Sequence, residues 1–300
     1  MISKLYLSLN AEKPSANIVA QGISDACEEF GMSIVDDPKD ADCVVTIGGD
    51  GTFLYGSRIA LEHSIPLAGV NLGRFGFLPS FEADNPKDLL QSLNLMEPNI
   101  RCVLDIDTGE QKFNAINELV VERKSVERAA RLSMISSPPI FGTLQQEIGL
   151  IDREQRQTFL DDQMDAVVKE FSAYADEQGN TVKGATFVCD GVIVATPLGS
   201  TAYSSSAGGP AISPYSNVMS VTLTALHHPR IPPVVLTNNE NLYLRSEEEC
   251  VIVCDGRKVG EMGPNQAIRI CVGEKLIRVF DKPASVISRL AHAFGADRIR

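Results

Sequence analysis

The chain has 300 residues, of which 44% are hydrophobic and 22% charged, and its formal net charge is −12. These fractions are ordinary for a soluble globular protein and exclude a disordered or collagen-like chain. The negative charge argues against nucleic acid as a partner, because phosphate backbones are bound by basic surfaces. Its apolar stretches are strand-sized and far shorter than a bilayer span, which predicts a cytoplasmic protein with no membrane partner.

The cysteine pattern also indicates a reducing compartment. Seven cysteines are scattered along the chain without a CxxC pair, and the four histidines add no His/Cys cluster. A zinc site is therefore not expected, and most of the thiols are predicted to be buried and reduced.

Strands and helices alternate over the first 100 residues. The periodicity of apolar residues predicts six elements in chain order: strand Ser3–Asn10, helix Ala16–Phe30, a strand near 32–35, strand Cys43–Ile47, helix Phe53–Glu62 and strand Pro66–Asn71. This alternation is typical of a parallel sheet with helices on its faces.

Beyond residue 100 the chain is rich in short β-type runs separated by turn residues such as Gly263-Pro264-Asn265 and Gly273-Glu274. We therefore predict an α/β N-terminal domain with a parallel sheet at 1–100 and an all-β C-terminal domain at 101–282. A helix inserted at about 136–180 follows from apolar residues at helical spacing. A C-terminal helix is predicted at 283–300.

A glycine-rich segment, Gly48-Gly49-Asp50-Gly51-Thr52, joins a buried strand to a helix. Glycines there allow close approach to a phosphate, and the helix N-terminus supplies N–H groups that attract anions. A carboxylate in such a cradle suggests chemistry or metal binding. The alternative is a tight turn in which Asp50 only caps the helix.

A second concentration of small polar residues follows Asp190-Gly191 and a strand. It runs from Thr196 to Pro210 as TPLGSTAYSSSAGGP, and it is suited to a loop that wraps a polar ligand. A Ser/Gly-rich linker is the alternative. The pair Asn117-Glu118, ahead of an apolar strand, is in isolation more typical of exposed turn residues.

Together these segments resemble the NAD kinase family. The matching pieces are GGDGT at 48–52, NLGRFGFL at 71–78, Asn117-Glu118, DGVIVATPLGSTAYSSSAGGP at 190–210 and a second Asp-Gly at 255–256. GGDGT alone is shared with diacylglycerol, sphingosine and phosphofructo-kinases, whereas the loop that ends in AGGP is more specific. The resemblance implies an NAD kinase-like fold, with the last helix returning to the first domain.

The resemblance also implies a role for each matching position. Asp50 is expected to be the catalytic carboxylate, which accepts the proton of the adenosine ribose 2′-hydroxyl of NAD as this hydroxyl attacks the γ-phosphorus of ATP. The other expected contacts are with phosphates (Gly49, Gly51, Thr52), ribose hydroxyls (Asn117, Glu118), the nicotinamide carboxamide (Asp190), and the adenine and its cleft (Phe75, Thr201, Ala202, Tyr203, Ser206).

The implied substrates are NAD and ATP, and the implied product is NADP. Because the chain is acidic, a divalent cation such as Mg²⁺ is expected to neutralise the ATP phosphates; no side chain is assigned as its ligand. The resemblance also implies a homodimer or homotetramer in which neighbouring subunits complete the site.

Three departures from the family pattern leave the substrate preference open, both for NAD against NADH and for ATP against other donors. Leu198 stands where a small hydroxyl residue is usual, Val188 replaces a frequent basic residue, and the segment 136–180 replaces a short hairpin. Two other functions remain as alternatives: a GGDGT-type kinase of a lipid or sugar, and a non-catalytic NAD(P)-binding sensor.

Overall fold

The computed structural model describes residues 2–10, 12–73, 76–136, 185–227 and 230–282, together with residues 287 and 291. The predicted helical insert lies outside this described part except for Ser136, and so does the predicted C-terminal helix except for residues 287 and 291. Phe75 also lies outside it.

The N-terminal part alternates strands and helices, and this confirms the predicted parallel sheet. Its elements are β1 (Lys4–Leu9), α1 (Pro14–Cys27), β2 (Ser33–Val35), β3 (Cys43–Gly48), α2 (Asp50–His63), β4 (Leu67–Asn71), β5 (Phe81–Glu82) and α3 (Pro86–Leu95). Strands β2, β1, β3 and β4 lie side by side and all run parallel. Helices α1 and α3 pack in one core cluster, while α2 contributes to a second cluster that includes Val44 and Leu67.

Two details differ from the predicted elements. Helix α2 begins at Asp50, three residues before the predicted start, so the last three residues of the glycine segment lie in the first helical turn. Helix α3 was not predicted. Asn85 starts it by accepting a 3.2 Å hydrogen bond from the backbone N–H of Asp88, with Pro86 as the first helical residue.

The rest of the described chain is almost entirely β-structure, as predicted. Its elements are β6 (Asn99–Asp107), β7 (Lys112–Ala115), β8 (Glu118–Arg123), β9 (Ala130–Ser136), β10 (Ala185–Cys189), β11 (Gly191–Ala195), a short helix α4 (Tyr203–Ser206), β12 (Val218–Thr224), β13 (Val234–Thr237), β14 (Asn241–Ser246), β15 (Cys250–Cys254), β16 (Arg257–Met262) and β17 (Ala267–Phe280).

These strands form two facing sheets. The first has the order β10-β9-β14-β17-β4-β3-β1-β2, with β5 paired to β4, β6 to β17 and β7 to β6; the second, antiparallel throughout, has the order β13-β12-β11-β8-β15-β16. Their inner faces share one apolar core, in which Leu242 and Ile268 of the first sheet pack with Leu119 and Val192 of the second.

Strand β17 joins the two parts of the molecule. It pairs with β14 and β6, and its last residues lie parallel to β4, with Phe280 opposite Ala68. The predicted boundary at residue 100 therefore falls within β6, a strand of this continuous sheet. The turn predicted at Gly273-Glu274 is wrong: the register against β6 shifts between Val272 and Leu276, so a bulge absorbs the extra residues and the strand continues.

The seven cysteines are all free, and six of them are buried. Cys271 is half-buried. The prediction that most thiols are buried and unpaired is therefore confirmed.

Candidate active site

Asp50 stands where a fully buried strand ends and a helix begins. Gly49 is the extended residue before α2, and Asp50 is the first helical residue. Its Oδ1 accepts hydrogen bonds of 3.0 Å from the backbone N–H groups of both Phe77 and Leu78. The alternative in which Asp50 only caps its own helix is therefore wrong, because the carboxylate instead holds the segment that follows β4.

The glycines beside Asp50 leave open space around the start of α2. A Cβ atom built on Gly49 or Gly51 would have no heavy atom of the described chain within 4 Å, apart from those of its sequence neighbours and of the helix's own backbone. Thr52 follows, and its side chain is half-buried. The first N–H groups of a helix lack intrahelical partners and carry partial positive charge, so this end of α2 is suited to an anion.

Asn117 and Glu118 form a buried polar pair at the start of β8. Their relative exposures are 6% and 8%, so they are not the exposed turn residues that the sequence alone favours. Oδ1 of Asn117 and Oε2 of Glu118 are buried and have no hydrogen-bond partner in the described part of the chain. Because buried polar atoms are rarely left unpaired, these two oxygens mark a place where a ligand or water supplies donors.

The Asp255 carboxylate accepts hydrogen bonds from the backbone of this pair. Oδ1 of Asp255 accepts from the N–H groups of Ile116 (3.0 Å), Asn117 (2.7 Å) and Glu118 (3.3 Å). Oδ2 lies 4.0 Å from Nε of Arg58, which extends from α2. The helix that carries Asp50 and the strand that carries Glu118 therefore meet at this carboxylate.

Burial governs the ionisation of both acidic residues. Burial, assisted by the negative charge of Asp255, raises the pKa of Glu118 from its ordinary 4.5 to about 7. Burial also raises the pKa of Asp255, although the N–H groups of residues 116–118 and the charge of Arg58 act in the opposite direction. The Glu118 carboxyl group therefore titrates near neutral pH.

The segment from Thr196 packs directly on the Asn117 backbone. Oγ1 of Thr196 donates to the carbonyl of Ile116 (2.7 Å), and its backbone N–H donates to the carbonyl of Asn117 (2.9 Å). A Cβ atom at Gly199 would lie 2.1 Å from the Asn117 carbonyl oxygen, so only glycine permits this approach. The segment is thus a fixed part of the site, and the linker alternative is wrong.

The remaining loop residues lie near the surface. Thr201 and Ala202 are half-buried, and Tyr203 and Ser206 are exposed at the two ends of α4. Between them Ser204 is anchored, with its Oγ 3.3 Å from Oγ1 of Thr222. The Tyr203 ring therefore stands on a fixed turn and offers a flat surface.

A cleft separates this loop from the segment held by Asp50. It is lined by Phe77, Leu78, Pro197, Leu198, Thr201, Ile212 and Pro214. Leu198 also packs in the core cluster that contains Phe53, Leu78 and Ile116. The residue that departs from the family pattern is therefore an apolar contact between α2 and the loop.

Asp190 lies apart from the other predicted site residues. It precedes β11, whereas Thr196 follows that strand, so the two are roughly 20 Å apart at the rise of an extended chain. Its Oδ1 accepts a 2.6 Å hydrogen bond from Nε of Arg123. Within one chain the structure brings together Asp50, Asn117, Glu118 and the start of the loop, and it places Asp190 at the opposite end of β11.

Sequence reasoning missed three residues of this site: Asp255, Arg58 and Thr196. Asp255-Gly256 matches the family pattern in the sequence, but that resemblance assigns it no role. Its hydrogen bonds span 137 to 139 residues of chain, and no local pattern carries such a contact. The buried strand that ends in Asp-Gly was the available signal.

Comparisons with known proteins identify one family. The ATP-NAD kinase N-terminal domain model matches residues 22–97, and the ATP-NAD kinase C-terminal domain model matches residues 164–281, together more than half of the chain. An NAD kinase of Clostridium botulinum is 28% identical, covering 94% of this chain and 93% of its own. One of Wolinella succinogenes is 29% identical, covering 85% and 74%.

Solved structures show the same fold. An NAD kinase from Archaeoglobus fulgidus in complex with ATP has a TM-score of 0.68 at 20% identity and covers 99% of both chains. Yeast NADH kinase complexed with NADH has a TM-score of 0.70 at 17% identity and covers 98% of this chain and 88% of its own. The α/β N-terminal domain, the β-rich C-terminal domain and both sequence matches agree: the chain belongs to the NAD kinase family.

Proposed function

We propose that this protein transfers the terminal phosphoryl group of ATP to the 2′-hydroxyl of the adenosine ribose of NAD, giving NADP and ADP. The observation that carries the proposal is the buried, unpartnered pair of oxygens on Asn117 and Glu118. Ribose hydroxyls are donors of the kind that these acceptors lack, and membership of the NAD kinase family supplies the substrate class.

In this proposal Asp50 acts as the general base. The O2′ atom of the ribose forms a bond to the γ-phosphorus of ATP, the bond from that phosphorus to the β–γ bridging oxygen breaks, and ADP leaves. The proton of the 2′-hydroxyl passes to the Asp50 carboxylate. The two N–H groups of Phe77 and Leu78 hold this carboxylate in place, and among the described residues its Oδ2 has one weaker contact, with the Phe77 N–H at 3.3 Å.

The other residues bind and orient the substrates. Gly49, Gly51 and Thr52 are proposed to contact phosphates at the open start of α2. Thr201, Ala202, Tyr203 and Ser206 are proposed to surround the adenine, with the Tyr203 ring, 44% exposed, as a stacking surface. The prediction that Phe75 contributes to the same cleft concerns a residue outside the described part of the chain.

Mg²⁺ is proposed to enter with ATP. In the described part of the chain no group of three or more His, Cys, Asp or Glu side chains is placed to hold a metal ion. A cation held chiefly by the substrate phosphates and water fits this arrangement, because Mg²⁺ commonly uses only one or two protein carboxylates. When bound, Mg²⁺ would neutralise the phosphates that an acidic protein does not.

We also propose a homodimer or homotetramer. Asp190 lies at the opposite end of β11 from Thr196, so it is better placed to serve the nicotinamide end of a dinucleotide held partly by a neighbouring subunit. The proposed location is the cytoplasm, with neither membrane nor nucleic acid as a partner. Among the described residues no helix has the length and apolar character needed to cross a bilayer.

The test is a coupled assay on the purified full chain. Protein, Mg²⁺ and ATP are incubated with NAD or with NADH, and 2′-phosphorylated product is detected with an NADP-specific dehydrogenase. We expect ATP-dependent product from at least one of the two. Binding of NAD without product under any phosphoryl donor would favour the sensor alternative, and neither binding nor product would overturn the proposal.

A further inference from the structure

Asp255 occupies the turn between β15 and β16, far in sequence from the residues it contacts. Cys254 pairs with Arg257, so Asp255-Gly256 is a two-residue hairpin loop, and both loop residues have positive φ (48° and 74°). Such a loop requires residues that tolerate this conformation, and Asn-Gly serves as well as Asp-Gly. The turn itself therefore does not explain where the Asp255 carboxylate points.

The Asp255 carboxylate accepts hydrogen bonds from three consecutive backbone N–H groups. Ile116, Asn117 and Glu118 all donate to Oδ1 of Asp255, and Ile116 also lies 3.1 Å from Oδ2. These groups are buried, and a buried N–H without an acceptor is strongly disfavoured. One side chain thus accepts hydrogen bonds from all the backbone N–H groups in the connection between β7 and β8.

The carbonyl groups of the same segment accept hydrogen bonds from groups other than the Asp255 carboxylate. Thr196 donates through Oγ1 to the carbonyl of Ile116 and through its N–H to the carbonyl of Asn117. The N–H of Asp255 donates to the carbonyl of Glu118 at 3.0 Å. With both its N–H and C=O groups engaged, this segment has little backbone freedom, and the directions of the Asn117 and Glu118 side chains follow from it.

We propose that Asp255 is a positioning residue, whose carboxylate fixes the Ile116–Glu118 backbone so that the Asn117 and Glu118 oxygens stay aimed at the ribose. Arg58 adds a link to the rest of the site, since it stands two turns after Asp50 on α2 and faces Oδ2 of Asp255. The inference rests on the proposed function only for the identity of the ligand.

Two substitutions separate this role from that of a turn residue. Asp255→Asn keeps a hairpin-compatible residue and one acceptor oxygen but removes the charge, whereas Asp255→Gly keeps the turn and removes the acceptor. The matched control is Asp42→Asn. Oδ2 of Asp42 accepts 2.9 Å hydrogen bonds from the N–H groups of Ser3 and Lys4, at the opposite end of β3 from Asp50.

The experiment measures amide hydrogen exchange over residues 116–118, the Kd for NAD without ATP, and steady-state kinetics. In Asp255→Gly we expect faster exchange by about 10-fold or more. We also expect a Kd and KM for NAD raised by about 10- to 100-fold, the loss expected for hydrogen bonds to a charged group. The KM for ATP should change by less than about twofold, Asp255→Asn should be intermediate, and Asp42→Asn should match the wild type in NAD affinity.

Unchanged exchange in Asp255→Gly, or faster exchange with an unchanged Kd for NAD, would overturn the positioning role and leave Asp255 as a turn residue. Absence of NAD binding to the wild-type protein would instead overturn the proposed function. The Kd for NAD of the wild-type protein therefore shows whether the proposed function or the positioning role has failed.

Discussion

Oδ1 of Asp50 accepts a 3.0 Å hydrogen bond from the backbone N–H of Leu78, and the Leu78 side chain packs in the same apolar cluster as Leu198. The carboxylate proposed as the base is therefore joined through one residue to the wall of the cleft that Leu78 and Leu198 line. We expect a change in the packing of that wall to shift the Asp50 carboxylate and therefore to affect catalysis.

Asp50→Asn should abolish most of the turnover while leaving NAD binding intact. An amide cannot accept the ribose proton as a carboxylate does, and a positioned general base contributes about 10²- to 10⁴-fold to the rate. Asparagine retains an oxygen for the bonds to Phe77 and Leu78, so the fold should hold. The measurements are kcat and the Kd for NAD. The control is Asp84→Asn, because Asp84 is exposed in the connection between β5 and α3. Turnover within about tenfold of the wild type would rule out Asp50 as the base.

Gly51→Ala should raise stability and lower activity. A methyl group there meets no atom of the described chain beyond the local ones, and alanine favours a helix over glycine by about 0.5 to 1 kcal/mol. If phosphates approach this end of α2, however, the methyl group obstructs them, and the KM for ATP should rise about tenfold or more.

Gly22→Ala is the matched control for Gly51→Ala. Gly22 lies within α1, where an added Cβ would make only an ordinary contact of 3.9 Å with Pro86. It should gain similar stability, measured by chemical unfolding, with unchanged kinetics. An unchanged KM for ATP in Gly51→Ala would argue against phosphate binding at this glycine.

Much of the first sheet could be predicted because its signals are local. Strand β3 is fully buried, is apolar apart from Thr46 and leads directly into glycines, so both the strand and the turn follow from neighbouring residues. The bulge in β17 could not be predicted, since Gly273-Glu274 has the composition of a turn and only its pairing with β6 shows that the strand continues.

Residues of the candidate site can be predicted from the sequence where they stand in a motif, and cannot where they join the site only through tertiary contacts. Asp50 and Asn117-Glu118 stand in recognisable motifs, yet the burial of Asn117 depends on Gly199 and Thr196, about 80 residues later in the chain. The pKa of Glu118 depends in the same way on burial and, to a smaller extent, on the charge of Asp255. Such properties arise from tertiary packing, which no sequence window contains.

Leu198→Ala should reduce both stability and activity. The side chain is 8% exposed and packs with Phe53 and Leu78, so its truncation leaves a cavity that costs about 2 to 5 kcal/mol. Because Leu78 also holds Asp50, kcat/KM should fall as well. Leu93→Ala, in the core cluster that α3 shares with α1, is the control: it should lose comparable stability with normal kinetics at a temperature where both variants are folded. Equal values of kcat/KM in the two variants would show that the packing of Leu198 does not affect catalysis.

The pKa of Glu118 predicts how stability depends on pH. Burial raises this pKa from 4.5 to about 7, so between these values the folded state keeps a proton that the unfolded chain releases. The folded state therefore loses stability as pH rises from 4.5 to about 7, by an amount on the order of 3 kcal/mol, and above about pH 7 the loss is complete.

Glu118→Gln removes the titration, so its stability relative to the wild type should increase over this interval and then level off. Urea unfolding at several pH values measures the difference, with Glu110→Gln, an exposed turn residue, as the control. A difference that does not vary between pH 5 and pH 8 would show that Glu118 is not a buried carboxyl group of raised pKa.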